Sequence, residues 1–173
     1  MNALYVKSIL YAYPNLDKIT EQIDSMVERK AIASMDDYSP CEEQCEAILR
    51  LTEEKDYLNK LKFICRNIFR RLPRAELICL DYKYFKQKPK DFYKDKCMSG
   101  RSYYRRQERI IEYLSERFDK WGITDEWFER NLLCNDFIKE LYRRLKDRGL
   151  RSRYLKGSAE RRVPRLSLTR RRG

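Results

Sequence analysis

Before Gly149 the chain contains only two glycines, Gly100 and Gly122, while apolar residues return every three or four positions along most of its length. Tight hairpin turns draw on residues that accept positive φ, so a chain this poor in glycine is badly suited to a sheet of many short strands. The three-four rhythm specifies amphipathic helices instead. With 42% of its 173 residues apolar and 38% charged, the chain can solvate the outer faces of such helices and still fill one core or two small ones. The expected fold class is all-α.

Residues 2–12 read as a short helix that ends before Pro14, because the residue preceding a proline disfavours helical geometry. Leu16, Ile19, Ile23 and Met26 continue the rhythm weakly towards Ile32 and predict a second helix. Ser39-Pro40 followed by Glu42 and Glu43 combines a serine cap, a proline at the first helical position and an acidic first turn. The helix it opens is expected to reach about Leu72. Leu51, Leu58, Cys65 and Leu72 recur every seven residues in it, with Leu61 and Ile68 between them, which is a coiled-coil-like seam. That seam fits either an antiparallel hairpin packed on the second helix or a homodimer interface.

After Leu72-Pro73 a further helix carries Leu77, Ile78, Leu80, Tyr84 and Phe85, and a polar break over Lys86–Lys90 precedes a short helix over Asp91–Lys96. A turn at Met98 then leads into a longer helix closed by Trp121-Gly122. Three helices with a brief turn before the last is the plan of a helix-turn-helix. Thr124-Asp125-Glu126 caps a small helix bearing Trp127, Phe128 and Leu132, and a last helix with Phe137, Ile138, Leu141 and Leu145 fades near Gly149. The organisation expected is an N-terminal helical hairpin (1–69), a helix-turn-helix (70–122), C-terminal helices (123–148) and a basic, disordered tail (149–173).

The net charge of +12 is unevenly distributed: residues 143–173 hold 13 basic and two acidic side chains, leaving 26 against 25 for the rest. A basic tail attracts polyanions without reading sequence, and Arg161, Arg162, Arg170, Arg171 and Arg172 are its expected non-specific contacts. No apolar run is long enough to span a bilayer, so no membrane partner is expected and the expected location is cytoplasmic.

The segment Met98–Leu114, MSGRSYYRRQERIIEYL, concentrates the functional signal. On a helical wheel Tyr103, Gln107, Ile110, Leu114, Phe118 and Trp121 share one arc. Arg101, Arg105, Glu108, Arg109 and Glu112 occupy the opposite arc, with Ser102 and Tyr104 at its margins. Ser99 is the expected cap, placing Gly100 where free backbone N–H groups favour phosphate. The first turns of a recognition helix reach base edges, so Arg101, Ser102, Tyr104, Arg105 and Glu108 are the expected base-reading residues. Ser99, Gly100, Arg109, Lys88, Lys90 and Lys94 are the expected phosphate contacts.

The absence of histidine excludes Ser-His-Asp and Cys-His nucleophiles and the histidine-based zinc protease motifs, and there is no glycine-rich phosphate loop. Asp36-Asp37 and Glu42-Glu43 sit at a helix start, where the dipole favours carboxylates. The six cysteines read as reduced core residues. Cys41 and Cys45, one turn apart, could share an ion, but no C-x-x-C pair or histidine completes a tetrahedral set. No enzyme activity, cofactor or metal is expected.

The run LPRAELICLDYKYF and, beyond a short helix, MSGRSYYRRQERIIEYLSERF resembles the C-terminal promoter-recognition domain of bacterial sigma factors. Leu72-Pro73, Ser99 with Ser102, and Arg109 with Leu114 occupy the places of that domain's signature, over roughly residues 70–120. The SYYRRQ wording is also similar to ArpU-like phage regulators. Asp91-Phe92-Tyr93 replaces the usual Glu-Ile-Ala, and no block like the promoter-melting region precedes it. The resemblance implies a sigma-like or phage-type transcriptional regulator with promoter DNA as ligand and RNA polymerase as a partner it allows. The competing expectation is a helical protein-interaction or RNA-binding module with an electrostatic tail. Thirteen tyrosines could stack bases, although most fall on apolar stripes.

Overall fold

The computed structural model describes residues 1–33, 41–85 and 100–160, with side chains described for all of these except 100, 101 and 150–160. Among the described residues there is no strand. The helices are α1 (Ala3–Ala12), α2 (Leu16–Ala33), α3 (Cys41–Phe69), α4 (Arg74–Lys83), α5 (Gly100–Lys120), α6 (Asp125–Asn131) and α7 (Asp136–Glu160), with a 3₁₀ turn over Tyr13–Asn15. The chain is all-α.

Local chemistry sets the helix ends. Asn2 Oδ1 accepts the Leu4 N–H at 2.9 Å and so satisfies one of the free donors at the start of α1. Gly122, at φ +77°, closes α5, and the Ile123 N–H donates back to the Phe118 carbonyl at 2.9 Å. Thr124 Oγ1 accepts the Trp127 N–H at 3.2 Å and opens α6. Asn135 does two jobs: its Oδ1 accepts the Ile138 N–H at 3.0 Å, opening α7, and its Nδ2 donates to Glu54 on α3 at 2.6 Å.

α2 and α3 form an antiparallel hairpin, with Lys62 paired to Asp17 and Lys55 to Asp24. Leu58, Leu61, Cys65, Ile68 and Leu72 of the expected seam are buried, joined by Ile64, and Leu51 is half-buried. On α2 Ile23 is the last fully buried residue and the seam passes on to half-buried Val27; Met26 is 41% and Ile32 65% exposed, contrary to the continuation expected from their spacing. The other helices pack against the open end of the hairpin only. Beyond it, two helices alone bury a line of side chains rather than a full stripe.

The hub of the fold is α1, whose Tyr5, Val6, Ile9, Leu10 and Ala12 are all buried, and which lies between α5 and α7. Tyr5 stacks on Phe128 at 4.4 Å and meets Tyr142 at 5.4 Å, and its hydroxyl donates to Glu129. Tyr11 meets Tyr84 edge-on at 4.7 Å. Ser115 Oγ donates to the Met1 carbonyl at 2.5 Å, and the terminal amine pairs with Asp119. Buried residues from 1–69, 70–122 and 123–148 belong to one continuous cluster.

Two further expectations are corrected. Among the described cysteines only Cys65 and Cys79 are core residues; Cys41 and Cys45, at the start of α3, and Cys134, in the turn whose Leu132 and Asn135 are the buried members, are exposed free thiols. The last helix does not end near Gly149: α7 runs on to Glu160. Leucine, arginine, lysine and alanine in that stretch favour helix, and its two glycines, Gly149 and Gly157, cost only about 1 kcal/mol each. Asp36-Asp37, Ser39-Pro40, Cys97, the short helix over Asp91–Lys96 and the turn at Met98 lie outside the described residues. No helix among those described is long and apolar enough to cross a membrane.

Candidate nucleic-acid interface

α5 is amphipathic along its whole length. Gln107, Ile110, Ile111, Leu114 and Phe118 are buried and Tyr103 is half-buried. Ile111, outside the expected inward arc, is covered because α1 packs on that side of the helix and widens the buried stripe. Trp121, expected inside, is 40% exposed and meets Phe63 edge-on at 6.4 Å. It follows the last helical residue, so the wheel no longer governs it. Gln107 Nε2 donates to the Cys79 carbonyl at 3.3 Å, and the Tyr82 ring meets Tyr103 at 6.4 Å, fastening the first half of α5 to α4. Burial, then the neighbouring Cys79 and tyrosines, pushes the Tyr103 phenol up to about 12.

The outer face carries the expected contact residues. Tyr104 (67% exposed), Arg105, Glu108, Arg109 and Glu112 are exposed and Ser102 is half-buried. Gly100 is the first residue of α5 and Arg101 follows in its first turn. The side chain of Arg101, together with Ser99, Lys88, Lys90, Lys94, Arg161, Arg162, Arg170, Arg171 and Arg172, lies outside the described residues.

This face is a ridge between two clefts. On one flank Tyr104, Glu108 and Glu112 meet Ala3 and Lys7 of α1 and Lys83 and Tyr84 of α4 around a cleft of about 280 Å³. On the other, Arg109 and Tyr113 meet Arg71, Pro73 and Glu76 around about 400 Å³. Arg105 stands on the crest. Lys7 and Lys83 are cations beside the ridge that sequence reasoning missed; one lies on α1, a hundred residues from α5, and no local pattern joins them. Burial, with Lys7 nearby, lowers the Lys83 pKa.

The ridge mixes like and opposite charges, with Glu108 and Glu112 each three residues beyond an arginine. Arg105 and Arg109 are four apart, and Arg101 precedes them by one turn. Like charges at that spacing cost a helix about 0.2–0.5 kcal/mol per pair. Among the described residues neither Arg105 nor Arg109 forms an ion pair. Their planar guanidinium groups, unpaired with any acid among the described residues, have the geometry for bidentate bonds to an oxyanion or to a guanine edge.

For metals, Cys41 and Cys45 Sγ stand 4.0 Å apart on the surface, and no set of three or more cysteine or acidic side chains converges among the described residues. No protein family, curated protein or solved structure gives a match to this chain.

Proposed function

We propose that this protein is a sequence-specific, double-stranded DNA-binding transcriptional regulator that reads its site with α5. The observation that carries the reading is the exposed ridge of Tyr104, Arg105 and Arg109, whose arginines form no ion pair among the described residues, on a helix whose opposite face is fastened to the core. A rigid helix with a free cationic face suits the major groove, where arginine forks pair with guanine O6 and N7. Glu108, on the same ridge, can accept from a cytosine amine and narrow the choice of base. The resemblance to sigma-type and ArpU-like helix-turn-helix proteins points the same way, and brings RNA polymerase in as a proposed partner.

Selection of bound duplexes from a random pool, at near-physiological salt, tests this. One enriched motif, lost or relaxed in Arg105→Ala, is the expected result. Enrichment of no duplex, with single-stranded RNA or a protein captured in its place, would overturn it.

Exposed Met26, Ile32 and Leu49, the last 62% exposed, at the far end of the hairpin support self-association through that end. Sedimentation of the wild type against an Ile32→Glu, Leu49→Glu variant checks this: dimers that become monomers are expected, and a wild-type monomer refutes it.

A further inference from the structure

Cys41 and Cys45 stand in the first turns of α3 with their sulfurs 4.0 Å apart and both thiols exposed. A tetrahedral zinc ion with Zn–S bonds of about 2.3 Å needs sulfurs about 3.8 Å apart, so the helix already sets the bite of half a site. The chain offers no second half among its described residues. The sequence contains no histidine, and no set of three or more cysteine or acidic side chains converges there. Cys65 and Cys79 are buried in the core. Cys134 sits by Glu54, nine residues beyond Cys45 and so roughly 14 Å further along α3.

The surroundings of the pair fit a second copy of the chain. Leu49 follows Cys45 at the same four-residue spacing, so Cys41, Cys45 and Leu49 lie within about 80° of one another on α3, and all three are exposed. The ion pairs Asp17–Lys62 and Asp24–Lys55 set the antiparallel register of the hairpin, and that register puts Ile32 level with Ala47, between Cys45 and Leu49. Thiols and exposed apolar side chains thus share one end of the hairpin. Met26, Ile32 and Leu49 alone offer far less than the roughly 800 Å² that each partner buries in a standard interface, so a contact here needs a further bond to hold it. A two-fold axis beside α3 brings the same pair of cysteines from each copy and makes up four sulfur ligands. We propose that Cys41 and Cys45 of two copies bind one zinc ion between them, in a four-cysteine site that joins the hairpin ends. The proposal rests on the self-association reading above and names what holds the two copies together. A hydrogen bond with Cys41 raises the Cys45 pKa above its usual value, so zinc displaces that proton, and the thiols release their protons to solvent as the Zn–S bonds form.

The test is a zinc titration of the full chain, first reduced and stripped of metal with a chelator, followed by sedimentation with the bound zinc measured in each species. Monomers are expected without zinc, and dimers holding one zinc ion per two chains once it is added, with chelator reversing the change. Cobalt in place of zinc should give the intense visible bands and the thiolate charge-transfer absorption of a tetrahedral sulfur site. Cys41→Ser and Cys45→Ser should each lose both the zinc and the dimer. The unfolding midpoint of the metal-free chain should not move in either variant, because both side chains are exposed. Cys134→Ser, at another exposed thiol, should lose neither zinc nor dimer. Metal-free dimers that persist in chelator would overturn the zinc site and leave the self-association reading standing. Zinc bound one per chain to a monomer, or not bound at all, would overturn the proposal. Monomers at every zinc concentration would overturn the self-association reading with it.

Discussion

α1 and α5 pack against each other and use their sequences in opposite ways. α1 is largely buried: Val6, Ile9, Leu10 and Ala12 have no exposed surface, and even Ser8 is buried, its hydroxyl donating to the Leu4 carbonyl. α5 gives the core one stripe and leaves an arginine-bearing ridge in solvent. α1 gives most of its surface to the core and leaves only a narrow strip at Ala3 and Lys7 beside the cleft, whereas α5 is held on one side and can also recognise. Changes in the two should therefore separate stability from binding.

The largest effect is expected at the largely buried helix. Leu10→Ala removes a fully buried side chain and should cost about 2–5 kcal/mol in urea unfolding. A loss under about 1 kcal/mol would mean that α1 is not the hub. Arg105→Ala should do the reverse, weakening the selected duplex by about 1–3 kcal/mol while the unfolding free energy stays within about 0.5 kcal/mol of wild type. If stability falls with affinity, the ridge is scaffold and the comparison fails.

Two smaller effects sharpen it where α1 and α5 meet α4. The Tyr84 hydroxyl is buried without a hydrogen-bond partner among the described residues. Tyr84→Phe should raise stability by about 1 kcal/mol, and a decrease would show that the hydroxyl is bonded. Burial also raises the pKa of the Tyr84 and Tyr103 phenols, the latter to about 12. A raised phenol favours the neutral form in the folded chain, so this stability is present below about pH 10, the value of an unfolded tyrosine, and is lost as pH rises from there towards 12. A phenolate titration followed by absorbance should show a late-ionising fraction that unfolding shifts back towards about pH 10; a single transition near that value would refute the burial.

Much of this was legible residue by residue. Pro14, Gly122 and Thr124 mark helix ends where their backbone chemistry requires them, and the seven-residue repeat from Leu51 to Leu72 is buried at Leu58, Cys65 and Leu72, with its first half along α2 and Leu72 beside α5. Ser102, Tyr104, Arg105, Glu108 and Arg109 lie on one side of α5 because the wheel is a property of the helix itself. The wheel failed where no helix or no neighbour was present to obey it, at Trp121 and at Met26.

The sequence by itself determined that the chain is helical, where most of its helices start and stop, and which face of α5 would seek water, because caps, propensity and periodicity act within a few residues. Only the tertiary structure decided that α1 is the hub, packed between α5 and α7, and that Lys7 and Lys83 flank the ridge. Those facts depend on contacts such as Met1 with Ser115 and Tyr5 with Tyr142, between residues more than a hundred positions apart, and no local pattern encodes which apolar stripe will meet which.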